Sequence, residues 1–256
     1  MSNYKKFLTL YEKDTPLLLG NVWDAQSAGI MEAAGYEALG TSSAAVAKTL
    51  GYEDGENMSF EELLFVVKRI INRVSIPVSV DMEGGYSRNV DEIIGHIEKI
   101  HDLGAVGINL EDSVVHDQRE ILPIDDFAEM LKTIKTALKE KEMDLFLNIR
   151  TDTYLLELPS PLKETLKRVR AYEESGADGI FVPCIVDRND IREVTQSTRL
   201  PVNVLCMPNL PSFEVLKEEG VKRISAGSFL YNHLVRATKN AVKRIQSEES
   251  FQSLFS

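Results

Sequence analysis

Eight short apolar runs, each separated from the next by a stretch of helical period, constrain this chain more than any other feature. The runs are rich in β-branched residues and stand at 17–22, 36–40, 77–80, 105–110, 145–149, 177–182, 201–205 and 221–225. Between them, apolar residues recur at helical spacing over 60–71, 93–100, 127–138, 162–172, 191–194 and 213–217. Four helix-to-strand joints share one phrase: Ala34-Gly35-Tyr36, Leu103-Gly104-Ala105, Ser175-Gly176-Ala177 and Glu219-Gly220-Val221. Each places glycine where a helix ends in a left-handed cap. Ser59, with Glu62 three residues on, predicts a capping box, and Ser212 predicts a further N-cap. Strands alternating with helices, and apolar enough to be buried on both faces, form a parallel sheet.

Eight such units in 256 residues predict an α/β fold, a closed eight-stranded parallel (β/α)8 TIM barrel, for which about 250 residues is typical. An open doubly wound sheet fits less well. No glycine-rich dinucleotide fingerprint follows the first strand, and there is no Walker-type phosphate loop. No linker or break in composition divides the chain, so 1–256 is expected to be a single barrel domain. A last helix over 230–245 and a polar-aromatic tail, 246–256, are expected to pack on a neighbouring subunit.

The balance of 29 basic against 40 acidic residues, a net charge of -11, argues against a nucleic-acid partner held by a broad basic surface. No apolar run approaches the roughly 18 residues of a membrane helix, and the first residues carry no secretory apolar region. A cytoplasmic protein is expected. The two cysteines, Cys184 and Cys206, are too few and too far apart for a disulfide framework or a thiolate zinc site; both read as buried packing residues.

In a (β/α)8 barrel, function sits at the C-terminal ends of the strands. The third run ends in Asp81-Met-Glu-Gly-Gly-Tyr86. If the strand persists that far, Asp81 and Glu83 share a face, and two carboxylates there suit a hard cation such as Mg²⁺. Gly84 and Gly85 would let the backbone turn and approach a ligand closely. The alternative is that the acids solvate a strand end. The first tip brings Asn21, Trp23 and Asp24. The second, Thr41-Ser42-Ser43-Ala44-Ala45, offers hydroxyls and N–H groups for a carboxylate or phosphate, or marks tight packing. A polar loop follows from Lys48 through Asp54 to Glu56. The fourth tip brings Glu111 and Asp112, and the fifth Arg150 and Asp152. An inward Arg150 needs an anion, supplied by Glu111 or Asp81 or by a substrate carboxylate that it clamps.

Taken in order, Asn21-Val-Trp-Asp-Ala-Gln-Ser-Ala28, Thr41-Ser-Ser, Leu50-Gly-Tyr-Glu-Asp54, Asp81-Met-Glu-Gly-Gly-Tyr86, Ile108-Asn-Leu-Glu-Asp112 and Asn148-Ile-Arg-Thr-Asp152 resemble the isocitrate lyase/phosphoenolpyruvate mutase superfamily over nearly the whole chain. The resemblance implies a (β/α)8 barrel, commonly tetrameric with the last helix exchanged between subunits. It also implies Mg²⁺-dependent chemistry that makes or breaks C–C or P–C bonds beside a carboxylated oxo centre. It places Ser42 and Ser43 in the substrate-binding segment and Asp54 as a loop acid. Asp81, Glu83 and Glu111 become the metal-linked carboxylates, with Glu83 where an Asp is usual. Arg150 becomes the substrate-binding arginine, and Arg150, Glu111 and Asp54 together the catalytic set.

The chain departs from that pattern after the fourth strand. The lyases carry a Lys-Lys/Arg-Cys-Gly-His loop there, and the mutases a Lys and an Asn. The stretch 113–123 has neither; His116 or Arg119 are the available substitutes, though a solvated loop position is the plainer reading of both. After the sixth strand, where the lyases place a Glu and the mutases a His, Pro183 and Cys184 stand. The expectation is therefore a Mg²⁺-dependent enzyme acting on a small 2-oxo or 2-hydroxy acid, through C–C cleavage of the lyase or oxaloacetate decarboxylase kind. The alternatives are phosphonomutase or phosphonopyruvate hydrolase chemistry, with Arg119 or Lys48 over the phosphoryl group, and a non-catalytic oxo-acid-binding protein. A homo-oligomer, dimer or tetramer, is expected.

Overall fold

The structure, a computed structural model, describes residues 1–115 and 117–255. Helix α1 (Asn3–Tyr11) precedes β1 (Leu17–Val22), α2 (Ala25–Ala33), β2 (Leu39–Thr41), α3 (Ser43–Leu50), α4 (Phe60–Ile71), β3 (Val78–Asp81), α5 (Val90–Asp102) and β4 (Gly107–Glu111). A short antiparallel hairpin, β5 (Ser113–Val115) and β6 (Arg119–Ile121), interrupts the alternation. Then come α6 (Ile124–Glu140), β7 (Phe146–Arg150), α7 (Pro161–Glu174), β8 (Gly179–Val182), α8 (Arg188–Gln196), β9 (Val202–Leu205), α9 (Phe213–Glu218), β10 (Arg223–Ser225) and α10 (Phe229–Glu248). Eight parallel strands close in the order β1-β10-β9-β8-β7-β4-β3-β2, so the expected (β/α)8 barrel is the observed fold. Among the described residues no helix is long and apolar enough to cross a membrane.

Most strands begin a residue or more after their apolar run does, and the glycine joints show why. Gly35, Gly104, Gly176 and Gly220 have φ of 87°, 99°, 97° and 82°. The residue after each donates its N–H five residues back, Tyr36 to Met31 O and Val221 to Leu216 O among them, which is the Schellman closure of a helix. At these four joints the first residues of the run therefore finish the helix before the strand starts. Ser59 and Glu62 form the expected capping box, and Ser212 caps α9 through Val215 N–H.

Apolar side chains facing out of the strands, such as Val80, Ile108, Leu147 and Val204, pack with Leu63, Ile97, Phe127 and Val169 of the surrounding helices into the main core. The inner face differs from the expectation of strands apolar on both sides. Asn148 Nδ2 donates to Asn109 Oδ1 at 2.9 Å and to Asn203 Oδ1 at 3.4 Å, and Arg223 Nη2 donates to Asn109 Oδ1 at 3.3 Å. Strands β10 and β4 are not neighbours, so the Arg223 contact crosses the barrel interior. One mouth is filled by α1, whose Phe7 and Leu10 pack on Leu17, Leu19 and Phe146; the Tyr11 ring stacks on Phe146 at 4.9 Å. The C-terminal mouth carries the site.

Helix α1, helix α3 and the β5–β6 hairpin are absent from the sequence reading. Helix α3 takes in Lys48, which was expected in a loop. The β5–β6 hairpin forms over the stretch where the superfamily carries its loop; His116 lies outside the described residues. Helix α10 is also unusual: it has no buried residue, and Phe229, Leu230, Leu234 and Val242 are exposed.

Candidate active site

Strand β3 ends at Asp81. Its Oδ2 accepts from Ser43 Oγ at 2.8 Å and from Ser43 N at 3.4 Å, while its own N–H donates to Thr41 Oγ1 at 2.8 Å. The strand does not persist to Glu83, as the shared-face argument required. Glu83 instead takes a left-handed φ of 49° within a turn in which Gly85 N donates to Met82 O. For a non-glycine residue that conformation costs about 1–3 kcal/mol. It brings Glu83 to 2% exposure, where its carboxylate accepts from Glu56 N at 2.8 Å and Tyr86 Oη at 3.1 Å.

The adjoining glycines make a close approach to the protein's own loops. A Cβ on Gly84 would stand 3.2 Å from Glu56 Oε1 and 3.5 Å from the Ser113 carbonyl oxygen. Gly85, at φ 99°, would drive one to 2.8 Å from Ile93.

Glu111 and Arg150 face each other in the β4–β7 register. Arg150 Nη1 lies 2.8 Å from Glu111 Oε2, yet that oxygen accepts no hydrogen bond, so the contact is one of charge with poor angular geometry. The Arg150 fork is closed on Asp152: Nε to Oδ1 at 2.6 Å and Nη2 to Oδ2 at 3.1 Å. Arg150 is thus paired with two anions of the protein itself, Glu111 and Asp152.

Arg119 joins them from β6. Its Nη1 donates to Glu111 Oε1, to Ser113 Oγ at 2.8 Å and to Asp152 Oδ2 at 3.1 Å, and its side chain is 17% exposed. The solvated-loop reading of Arg119 is therefore overturned. The hairpin folds over the mouth and its alternation turns the guanidinium inward.

The acids crowd one another. Burial, then the charges of Asp54, Glu111, Asp81 and Glu56, pushes Glu83 up to about 8. Burial also raises Glu111 above the carboxylate range, against the lowering effect of Arg150 and Arg119. Asp54 is raised by burial and by Asp81, and lowered by Arg119, Arg150 and Lys48. Asp54 is exposed at the rim.

Carboxylate oxygens that raise one another's proton affinity suit a hard divalent cation. Among the described residues no group of three or more His, Cys, Asp or Glu is arranged to ligate a metal directly. Glu83 and Glu111 are moreover already engaged with Glu56, Tyr86 and two arginines. Asp81 Oδ1 makes no hydrogen bond to a described residue. The donor set therefore fits Mg²⁺ held by Asp81, with Glu83, Glu111 and Asp54 reached through the waters that this ion retains.

Several residues of this arrangement were named in the sequence but given no role there. Asp152 and Asp112 are fully buried. Asp112 accepts from Asp152 N at 3.0 Å, Arg168 Nη1 at 3.0 Å and Tyr172 Oη at 2.7 Å, which fixes Asp152 beneath the two arginines. Glu56 accepts from Tyr86 N at 2.7 Å and pairs with Arg88 at 2.8 Å, securing the Asp54 loop to the β3 tip. Acid-rich motifs signalled Asp112 and Asp152; Glu56 stood in the polar loop with nothing local to mark its contact with Tyr86 and Arg88.

Ser42 is the N-cap of α3, and its N–H donates to Val22 O. The Ser42 and Ser43 amides are thus already engaged within the protein, and Ser43 serves chiefly Asp81. Contrary to expectation, Cys184 is half-buried and Cys206 exposed. Cys184 has φ 65°, and burial raises its thiol.

The sequence profile described as phosphoenolpyruvate phosphomutase matches residues 7–246. An uncharacterized protein of Mycobacterium tuberculosis is 32% identical over 243 residues, 95% of this chain and 90% of its own length. An oxaloacetate decarboxylase of Bradyrhizobium sp. is 30% identical over 187 residues, 72% of this chain and 64% of its own. A solved structure from Burkholderia cenocepacia, provisionally described as a phosphonomutase, superposes with a TM-score of 0.88 at 36% identity, over 94% of this chain and 99% of that one. With a profile match running through every barrel strand and a solved relative of the same architecture, this chain belongs to the phosphoenolpyruvate phosphomutase family of the isocitrate lyase/phosphoenolpyruvate mutase superfamily.

Proposed function

We propose that this chain is a Mg²⁺-dependent cytoplasmic enzyme that cleaves a C–C bond in a small 2-oxo or 2-hydroxy carboxylic acid, as a lyase or an oxaloacetate-type decarboxylase. One observation carries the reading: Asp54, Asp81, Glu83 and Glu111 meet two guanidiniums at the C-terminal mouth of a barrel whose other mouth α1 fills. The 30% identity to an oxaloacetate decarboxylase supports it. When bound, Mg²⁺ supplies a Lewis acid at the oxo-acid group. Asp81, oriented by the Ser43 hydroxyl, would hold that ion. Arg150, immobilised by Asp152, sets positive charge beside the substrate carboxylate. Asp54, at the rim with a raised proton affinity, is placed to return a proton to the carbon left by the departing group. The hairpin limits access of water to the mouth.

A second reading, P–C bond chemistry, gains from Arg119, which supplies the positive charge that a phosphoryl group would need, and from the 36% identity to the Burkholderia chain. Turnover of oxaloacetate and of phosphonopyruvate, each with Mg²⁺ and with chelator, separates the two. Mg²⁺-dependent loss of CO₂ from oxaloacetate is expected. Turnover of phosphonopyruvate alone would favour the second reading, and oxalate binding without turnover of either compound would make the chain a binding protein.

We also propose a homo-oligomer. A helix of 20 residues that buries none of them and reaches the main core through Tyr231 is short of the packing that stabilises helices in water, and a second copy of this chain would cover its apolar side.

A further inference from the structure

Arg223 projects from β10 into the barrel interior and is 2% exposed. The hydrogen bonds its guanidinium makes go only to neutral groups. Nη2 donates to Asn109 Oδ1 at 3.3 Å and Nη1 to Tyr11 Oη at 3.4 Å, both longer than the roughly 3.2 Å limit of a well-made N–H···O bond. Nε is buried and has no hydrogen-bond partner among the described residues. Ser79, two residues before Asp81 on the inner face of β3, holds a second buried polar atom without a partner, its Oγ. Asn148 and Asn203 complete the interior by bonding to other amides and to the backbone, and they bring no charge.

Other buried charges in the molecule are matched. Asp112 pairs with Arg168, Glu111 and Asp152 with Arg119 and Arg150, and Glu219 with Arg188 and Arg192. Glu83 has no basic partner, but a carboxyl can keep its proton, and its rise to about 8 reflects that. A guanidinium in a protein cannot be deprotonated. Its burial without a counter-charge therefore costs far more than a missing hydrogen bond. Tyr11 does not become that counter-charge, because burial raises its phenol against the lowering effect of Arg223.

We propose that a chloride ion bound inside the barrel at Nε of Arg223 is the missing counter-charge. A single-atom anion suits the space. A Cβ on Gly107 would already stand 2.9 Å from Phe146 O and 3.5 Å from Ser79 Oγ, so an oxo-acid does not fit among these strands. Helix α1 closes this end, with the Phe7 and Tyr11 rings packed on Phe146, which keeps the site apart from the acids at the opposite mouth. A water would satisfy Nε and leave the charge unbalanced. The ion binds the folded chain and stabilises it by mass action, whatever reaction the C-terminal mouth performs.

Two measurements in chelator test this. Wild-type crystals soaked in bromide, with data collected at the bromine absorption edge, should show an anomalous peak in contact with Arg223 Nε. In denaturant unfolding at constant ionic strength, gluconate is exchanged for chloride from about 1 to about 200 mM. The folding equilibrium constant of wild type should rise at least about fivefold, and that of Arg223→Met, which keeps the length without the charge, less than about 1.5-fold. Should that variant fail to fold, the bromide crystal decides alone. A soaked crystal without anomalous density at Arg223, or equal chloride dependence in the two proteins, would overturn the proposal.

Discussion

Asp112 and Arg168 form an ion pair at 3.0 Å across 56 residues of sequence, with both side chains almost wholly buried. Arg168 Nη2 also donates to Leu122 O at 3.0 Å, so one side chain of α7 holds the end of β4 and the exit of the hairpin together. Removing one member of a buried pair leaves the other charge uncompensated, at about 3–5 kcal/mol. Arg168→Leu is therefore expected to lose about that much in denaturant unfolding. Adding Asp112→Asn should recover part of it, because the remaining group is neutral; a double variant no more stable than Arg168→Leu alone would contradict this.

Glu83 makes metal-free stability depend on pH. Folding raises its carboxyl from 4.5 to about 8, so the folded chain binds the proton more tightly than the unfolded one. The contribution is present at low pH and is lost as pH rises from about 4.5 through about 8. Glu83→Gln, in chelator, should match wild type in melting temperature near pH 4.5 and exceed it near pH 9. A variant that melts lower than wild type at the alkaline end would show that ionised Glu83 is not held under repulsion.

Asp81→Asn keeps an acceptor for the Ser43 hydroxyl and removes the charge. Mg²⁺ at about 100 times its dissociation constant should stabilise wild type by about 2.7 kcal/mol and the variant hardly at all, as read by thermal unfolding across a Mg²⁺ titration. Equal shifts in the two proteins would remove Asp81 from the metal site.

Leu234 is 50% exposed on α10, near the 41% exposed Leu230. Leu234→Asp should lower the molar mass measured by light scattering without lowering helix content, if a second copy covers this face. An unchanged mass would assign the association to another surface.

The parts of the fold legible in the sequence are those written locally. The Ser59–Glu62 box, the four glycine joints and the eight-fold alternation each need only a few neighbouring residues, and each is found. The polar barrel interior was not legible, because Asn109, Asn148, Asn203 and Arg223 meet only once the sheet has closed. Of the site, Asp81, Glu111 and Arg150 stand at the strand ends that motif and register assigned them. Glu83 arrives by a left-handed turn that a glutamate does not advertise. Arg119 sits on strands of three residues, too short to show a period, and its partner Asp152 is 33 residues away.

The hairpin begins at Ser113, next to Asp112, and returns where Leu122 N–H donates to the Asp112 carbonyl at 2.8 Å. Its entrance and exit therefore meet at a single residue, and its two strands form a sheet of their own, separate from the barrel sheet. Such an insert behaves as an interchangeable cover: a longer or differently charged segment grafted between the same two anchor points would change what the mouth admits while the cylinder beneath keeps its shape.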